Sequence, residues 1–87
     1  MLFNPGNIVA TPGALDLADQ GINLHTYLTR HLQGDWGDLC PEDKAENNLS
    51  LHQGFRLLSA YQTPNGALWI ITEADRSATT FLLPEEY

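Results

Sequence analysis

Three histidines, one cysteine and two pairs of carboxylates are the side chains in this chain whose types and spacing bear on chemistry. His25, His31 and His52 raise the question of a metal. The first two are six residues apart, which separates them by about 240° around a helix, and zinc-binding helices use i, i+3 or i, i+4 pairs. No second cysteine completes a structural zinc site, so the reading is solvated or core-edge histidines, with no metal and no cofactor. Cys40 stands before Pro41 at a helix start, where the dipole lowers a thiol pKa, while Glu42 and Asp43 act in the opposite direction. Capping is the plainer role for it. A small enzyme using Cys40 or the loop carboxylates is the alternative.

Asp35 and Asp38 flank Trp36 in one loop, and Glu73 and Asp75 flank a turn that includes Arg76. Paired carboxylates do acid–base work where a cleft separates their pKa values. Backbone capping and turn bonds account for these more simply. Trp36 reads as a lid over the edge of the core; if exposed, it is the best interaction hot spot on the chain. The candidate interaction surface is therefore Asp35, Trp36 and Asp38 together with Glu73, Asp75 and Arg76. No phosphate-binding glycine loop, nucleophile elbow or dinucleotide fingerprint is present, so no catalytic residue is assigned.

Charge narrows the partners. Eleven carboxylates oppose four basic residues, Arg30, Lys44, Arg56 and Arg76, for a net −7. Binding nucleic acid without sequence preference needs a basic footprint on the phosphates, so DNA, RNA and anionic lipid are disfavoured. A basic protein partner is compatible with the charge, as is a homodimer through an edge strand. No apolar run approaches the length of a membrane span, and the first residues lack the pattern of a secretory signal. A lone cysteine with no export signal predicts a reducing compartment, the cytoplasm.

The elements that must position these residues follow from caps and periodicity. Ile8-Val9-Ala10 is a short extended piece after a turn at Asn4-Pro5-Gly6. Thr11-Pro12 starts one helix, Asn23 caps a second with Leu24, Tyr27, Leu28 and Leu32 on its buried face, and Cys40-Pro41 opens a third. Ala45, Leu49 and His52 share a face of that third helix. From Phe55 the period becomes two: Phe55, Leu57, Ser59 and Tyr61 face one way, then Leu68, Ile70 and Thr72. Thr63-Pro64-Asn65-Gly66 marks a hairpin and Asp75-Arg76-Ser77 a second turn, leading to a strand from Ala78 to Leu83. The predicted fold is one α+β domain, residues 1–87. Two to three short N-terminal helices pack on a C-terminal three-stranded antiparallel β-meander.

Two stretches, His31-Leu-Gln-Gly-Asp-Trp-Gly-Asp-Leu39 and Trp69-Ile-Ile-Thr-Glu-Ala-Asp-Arg-Ser77 with the ending Leu82-Leu-Pro-Glu-Glu-Tyr87, carry a family resemblance. Thr11-Pro-Gly-Ala-Leu15 and Arg56-Leu-Leu-Ser-Ala-Tyr61 extend it over nearly the whole chain. The chain resembles a family of small bacterial proteins of plasmids and other mobile elements, some labelled as type I restriction modification subunits. The chain is too short for a methyltransferase domain and lacks the Asn/Asp-Pro-Pro-aromatic motif; Asn4-Pro5-Gly6 is only a turn. The resemblance implies a mobile-element setting, with an anti-restriction or anti-defence accessory role as one alternative. The leading expectation is a small, acidic, non-enzymatic interaction module.

Overall fold

The computed structural model describes all 87 residues. In chain order the elements are β1 (Asn7–Ala10), α1 (Pro12–Asp19), α2 (Leu24–Leu32), α3 (Pro41–Gln53), β2 (Leu57–Thr63), β3 (Gly66–Thr72) and β4 (Ala78–Leu82), closed by a 3₁₀ turn (Pro84–Glu86). Each helix starts at the residue its chemistry favours. The Thr11 hydroxyl accepts from the Ala14 N–H, and the Asn23 side-chain oxygen, Oδ1, from the His25 N–H. Proline occupies the first turn of α1 and α3, where no intrahelical donor is lost.

The sheet corrects the expected three-stranded meander. It has four strands in the order β1-β4-β3-β2, and it is mixed: β1 runs parallel to β4, from Asn7 opposite Ala78 to Ala10 opposite Phe81. The architecture is α+β with three α-helices on this mixed sheet. Ile8-Val9-Ala10 can join because β4, the last strand of the meander, otherwise leaves a row of backbone donors and acceptors without partners. The antiparallel pairs β2–β3 and β3–β4 set Leu57, Ser59, Tyr61, Leu68, Ile70, Thr72, Thr79 and Phe81 on one inward face. Ala14 and Leu17 of α1 pack on Tyr61, Leu68, Ile70 and Phe81, and Leu24, Tyr27 and Leu28 of α2 add to that core.

Three local expectations change. Phe55 lies ahead of β2 and is exposed, as is Leu49 of α3. The buried residues of α3 are polar, Asn47 and Ser50, because this helix lies along the β2 edge and not on the apolar face. The Asn47 side-chain amide donates to the Leu58 carbonyl (2.6 Å) and accepts from the Leu58 N–H (3.1 Å), standing in for a neighbouring strand.

The rest of that edge is closed by the loop before α3. Ala60 donates to the Trp36 carbonyl (3.1 Å) and accepts from the Asp38 N–H (2.6 Å), and the Gln62 N–H donates to the Asp38 carboxylate (2.9 Å). Gly37 makes this approach feasible: its φ is 79°, and a Cβ there would lie 2.0 Å from the Ala60 carbonyl oxygen. Gly54 has a similar φ of 74° with open space around it. Gly37→Ala should therefore cost more than Gly54→Ala, by about 2 kcal/mol, which lowers the melting temperature by roughly 10 °C relative to the Gly54 variant. Equal melting temperatures for the two would show that the loop does not hold the β2 edge.

Candidate functional site

His31 is the most constrained titratable group in the molecule. It projects from the last turn of α2 into the inward face of the sheet and is 0% exposed. Nδ1 lies 2.5 Å from the Ser59 hydroxyl and Nε2 2.9 Å from the Thr72 hydroxyl. Thr72 is 2.7 Å from Thr79, whose hydroxyl donates to the Pro5 carbonyl (2.8 Å). A carbonyl only accepts, and each hydroxyl has one proton, so the direction of the whole line is determined. Thr79 gives its proton to Pro5, Thr72 to Thr79, and His31 Nε2–H to Thr72. In the neutral ring Nδ1 is then the acceptor of the Ser59 proton. Full burial favours the neutral ring, the Nε2–H tautomer, which packs in T-shaped contacts with Phe3 (ring centres 5.3 Å apart) and Trp36 (5.7 Å).

Burial, with Arg76 adding repulsion, pushes the His31 pKa down to about 4. A Ser–His pair at hydrogen-bond distance is the geometry of an activated nucleophile. Access is what it lacks, since Ser59 is also 0% exposed. The pair is an internal fastener. His31 was expected among solvated or core-edge histidines; the hydroxyls at Ser59, Thr72 and Thr79 allow it to be fully buried instead. Three hydroxyl residues at inward positions of three strands are the signal in the sequence, because a buried polar group requires a partner. His25 and His52 are exposed.

Of the six residues of the expected interaction surface, Glu73 is half-buried and bonds through its backbone to Ala78 and Arg76, and the other five have specific side-chain places. Trp36 is 3% exposed, with its indole N–H donated to Asn48 (3.0 Å) and its ring stacked near Phe3 (6.5 Å). It belongs to the core and is not available as a contact residue. Asp35 accepts from Arg30 Nε (2.7 Å) and from the Gly37 N–H, and the Arg30 bond holds its carboxyl below the ordinary range. Asp38 serves Gln62 as described. Asp75 accepts from the Ser77 N–H (3.0 Å) in a turn, and the bonds from Ser77 lower its pKa. Arg76 has φ 60° and turns inward, donating to the carbonyls of Phe55, Glu73, Ala74 and Ser50 and lying 5.7 Å from the Phe3 ring centre. The loop and the turn both approach Phe3, one through the Trp36 ring and the other through the Arg76 guanidinium.

Cys40 is exposed at the start of α3. The Asp43 backbone favours its thiolate, but the Asp43 and Glu42 carboxylates outweigh that and raise the thiol pKa. The arrangement disfavours nucleophilic chemistry there. One surface depression, of about 500 Å³, lies beside it, lined by Glu42, Asp43 and Glu46 with the half-buried Leu39 and Leu58 and the cation Arg56. Asn47 and Ser50, also on its wall, bond to Leu58 and to the Glu46 carbonyl.

Comparison of the chain with protein-family models, with curated proteins and with solved structures gives no match. No helix is long and apolar enough to cross a membrane.

The His31 line makes a quantitative statement about pH. Its folded pKa lies below the unfolded value near 6.5, so the unfolded chain binds the proton first and stability falls as pH drops through that interval. Between pH 7 and pH 5, above the main carboxylate range, the loss should be about 2 kcal/mol in urea unfolding. His31→Gln should be less stable at pH 7 yet lose that pH dependence. An unchanged slope in the variant would assign the proton uptake elsewhere.

Proposed function

We propose that this domain is a non-enzymatic interaction module that binds a basic segment of a partner protein at the acidic depression along α3. The observation that carries the reading is the disposition of charge. Arg30 is bound to Asp35 and stacked on Tyr61, Arg76 is enclosed by backbone carbonyls, and Arg56 lies over the Tyr87 ring and donates to its hydroxyl. Three of the four basic residues are thereby committed within the chain, and the acidic excess faces outward largely uncompensated. The depression is lined by Glu42, Asp43 and Glu46 together with Leu39 and Leu58, and the cation on its wall, Arg56, is the one engaged by Tyr87. A lysine or arginine side chain fits that combination: its methylene stem covers the leucines and its head meets the carboxylates. The resemblance to plasmid-borne proteins supplies the proposed setting, a mobile element whose product acts by contact.

The test is the binding of a fluorescent lysine- and arginine-rich peptide, followed by anisotropy at increasing ionic strength. Binding should weaken with salt. Replacing Glu42, Asp43 and Glu46 by Gln, Asn and Gln should weaken it about tenfold or more. The triple variant Asp16→Asn, Asp19→Asn and Glu85→Gln removes the same charge elsewhere and should leave affinity nearly unchanged. Equal losses in both triples would reduce the effect to net charge and overturn the reading.

A further inference from the structure

The two edges of the sheet are treated differently. Along β2 the outward backbone groups are met in turn by Asn47, Trp36 and Asp38. Along β1 no such cover exists. The N–H groups of Asn7 and Thr11 donate to the Ser77 and Phe81 carbonyls, 3.0 Å each. Successive residues of a strand present their backbone groups to opposite edges, so Ile8 and Ala10 offer theirs to the open side. Ile8 and Val9 are 46% and 47% exposed. The usual protections of an edge are charge, a bulge or a covering segment. Here the first fifteen residues contain no charged side chain, in a chain of net charge −7.

We infer that β1 pairs antiparallel with β1 of a second copy across a two-fold axis at Val9, joining the two sheets into one. The register follows from which groups are free. Ile8 exchanges N–H···O=C bonds with the partner's Ala10, and Ala10 with the partner's Ile8. Val9 faces the partner's Val9 as a non-hydrogen-bonded pair, with Cβ atoms about 4.5–5.5 Å apart. A second copy suits this edge better than a charged segment of another protein. The strand is its own complement under two-fold symmetry, and the pairing brings no like side-chain charges into register. Pro5 and Pro12 bound the pairing to a few residues, so the interface falls at the small, weak end of the range, under about 1,200 Å².

The long-range charge gives the dimer a signature opposite to that of the basic-peptide site. Each copy carries −7, so screening by salt strengthens self-association while it weakens peptide binding. Sedimentation velocity on the full chain, from about 10 μM to 1 mM at low and moderate salt, should show a monomer–dimer equilibrium shifting to dimer with concentration and with salt. Val9→Lys, which sets two cations face to face, should weaken dimerisation at least tenfold, whereas Val9→Thr should retain it; circular dichroism verifies that both fold. In a Cys40→Ser background, mild oxidation should cross-link Val9→Cys to itself and leave Ile8→Cys largely uncross-linked, because residue 8 faces the partner's residue 10. A monomer under every condition, or cross-linking of Ile8→Cys as fast as that of Val9→Cys, would overturn the inference. Neither result bears on the peptide site, which is read in the separate anisotropy experiment.

Discussion

A neutral imidazole buried with both nitrogens bonded needs an acceptor and a donor at defined positions, and His31 imposes that requirement on most of the chain. Its partners lie on β2, β3 and, through Thr72, on β4, and the line ends on a carbonyl of the N-terminal segment. Each hydroxyl has one productive rotamer. Moving any one of these strands by a residue would turn its hydroxyl to the other face and leave buried groups without partners, at about 1–3 kcal/mol each. The line therefore selects the register of the sheet as well as adding stability. It also explains the surrounding packing: Phe3 and Trp36 enclose the ring, and Trp36 in turn anchors the loop that closes β2.

What the sequence made legible is the set of features that act over short distances. Thr11-Pro12, Asn23 and Cys40-Pro41 mark helix starts because caps are properties of adjacent residues. Thr63 to Gly66 marks the hairpin for the same reason. Ile8-Val9-Ala10 is readable as extended, but its neighbour is not: a parallel partner near the other end of the chain leaves no local trace, and that is why the expected meander lacked its fourth strand. The face of α3 was misread because Ala45, Leu49 and His52 have helical spacing, while the contacts that hold the helix come from an asparagine acting as a strand. Five of the six expected surface residues share another cause. Turn carboxylates and an arginine look like a docking set in one dimension, yet Asp35, Asp38, Asp75 and Arg76 are satisfied by nearby backbone and by one another's neighbours, and Trp36 is interior.

The structure spends few of its polar side chains on chemistry and many on closing gaps in the backbone. Asn47 completes the β2 edge, Arg76 gathers carbonyls around the end of α3, and Glu86 binds the start of α1 through Thr11 and the Gly13 N–H. In a small domain with little apolar surface to bury, such contacts carry a larger share of specificity. Most of the remaining carboxylates, those of α3 among them, face solvent.

The parallel pairing of β1 has a consequence for the order of events during synthesis. Asn7 to Ala10 emerge early but have no place to go until Ala78 to Phe81 have been made. The Thr79 bond to Pro5 and the Thr11 bond to Glu86 span separations of 74 and 75 residues. Contacts so distant in the chain form late, because the loop they close carries its full entropic cost beforehand. The nascent chain must therefore keep an uncharged, β-prone segment unpaired until β4 has been made, and the sheet can be completed only once that strand has left the ribosome.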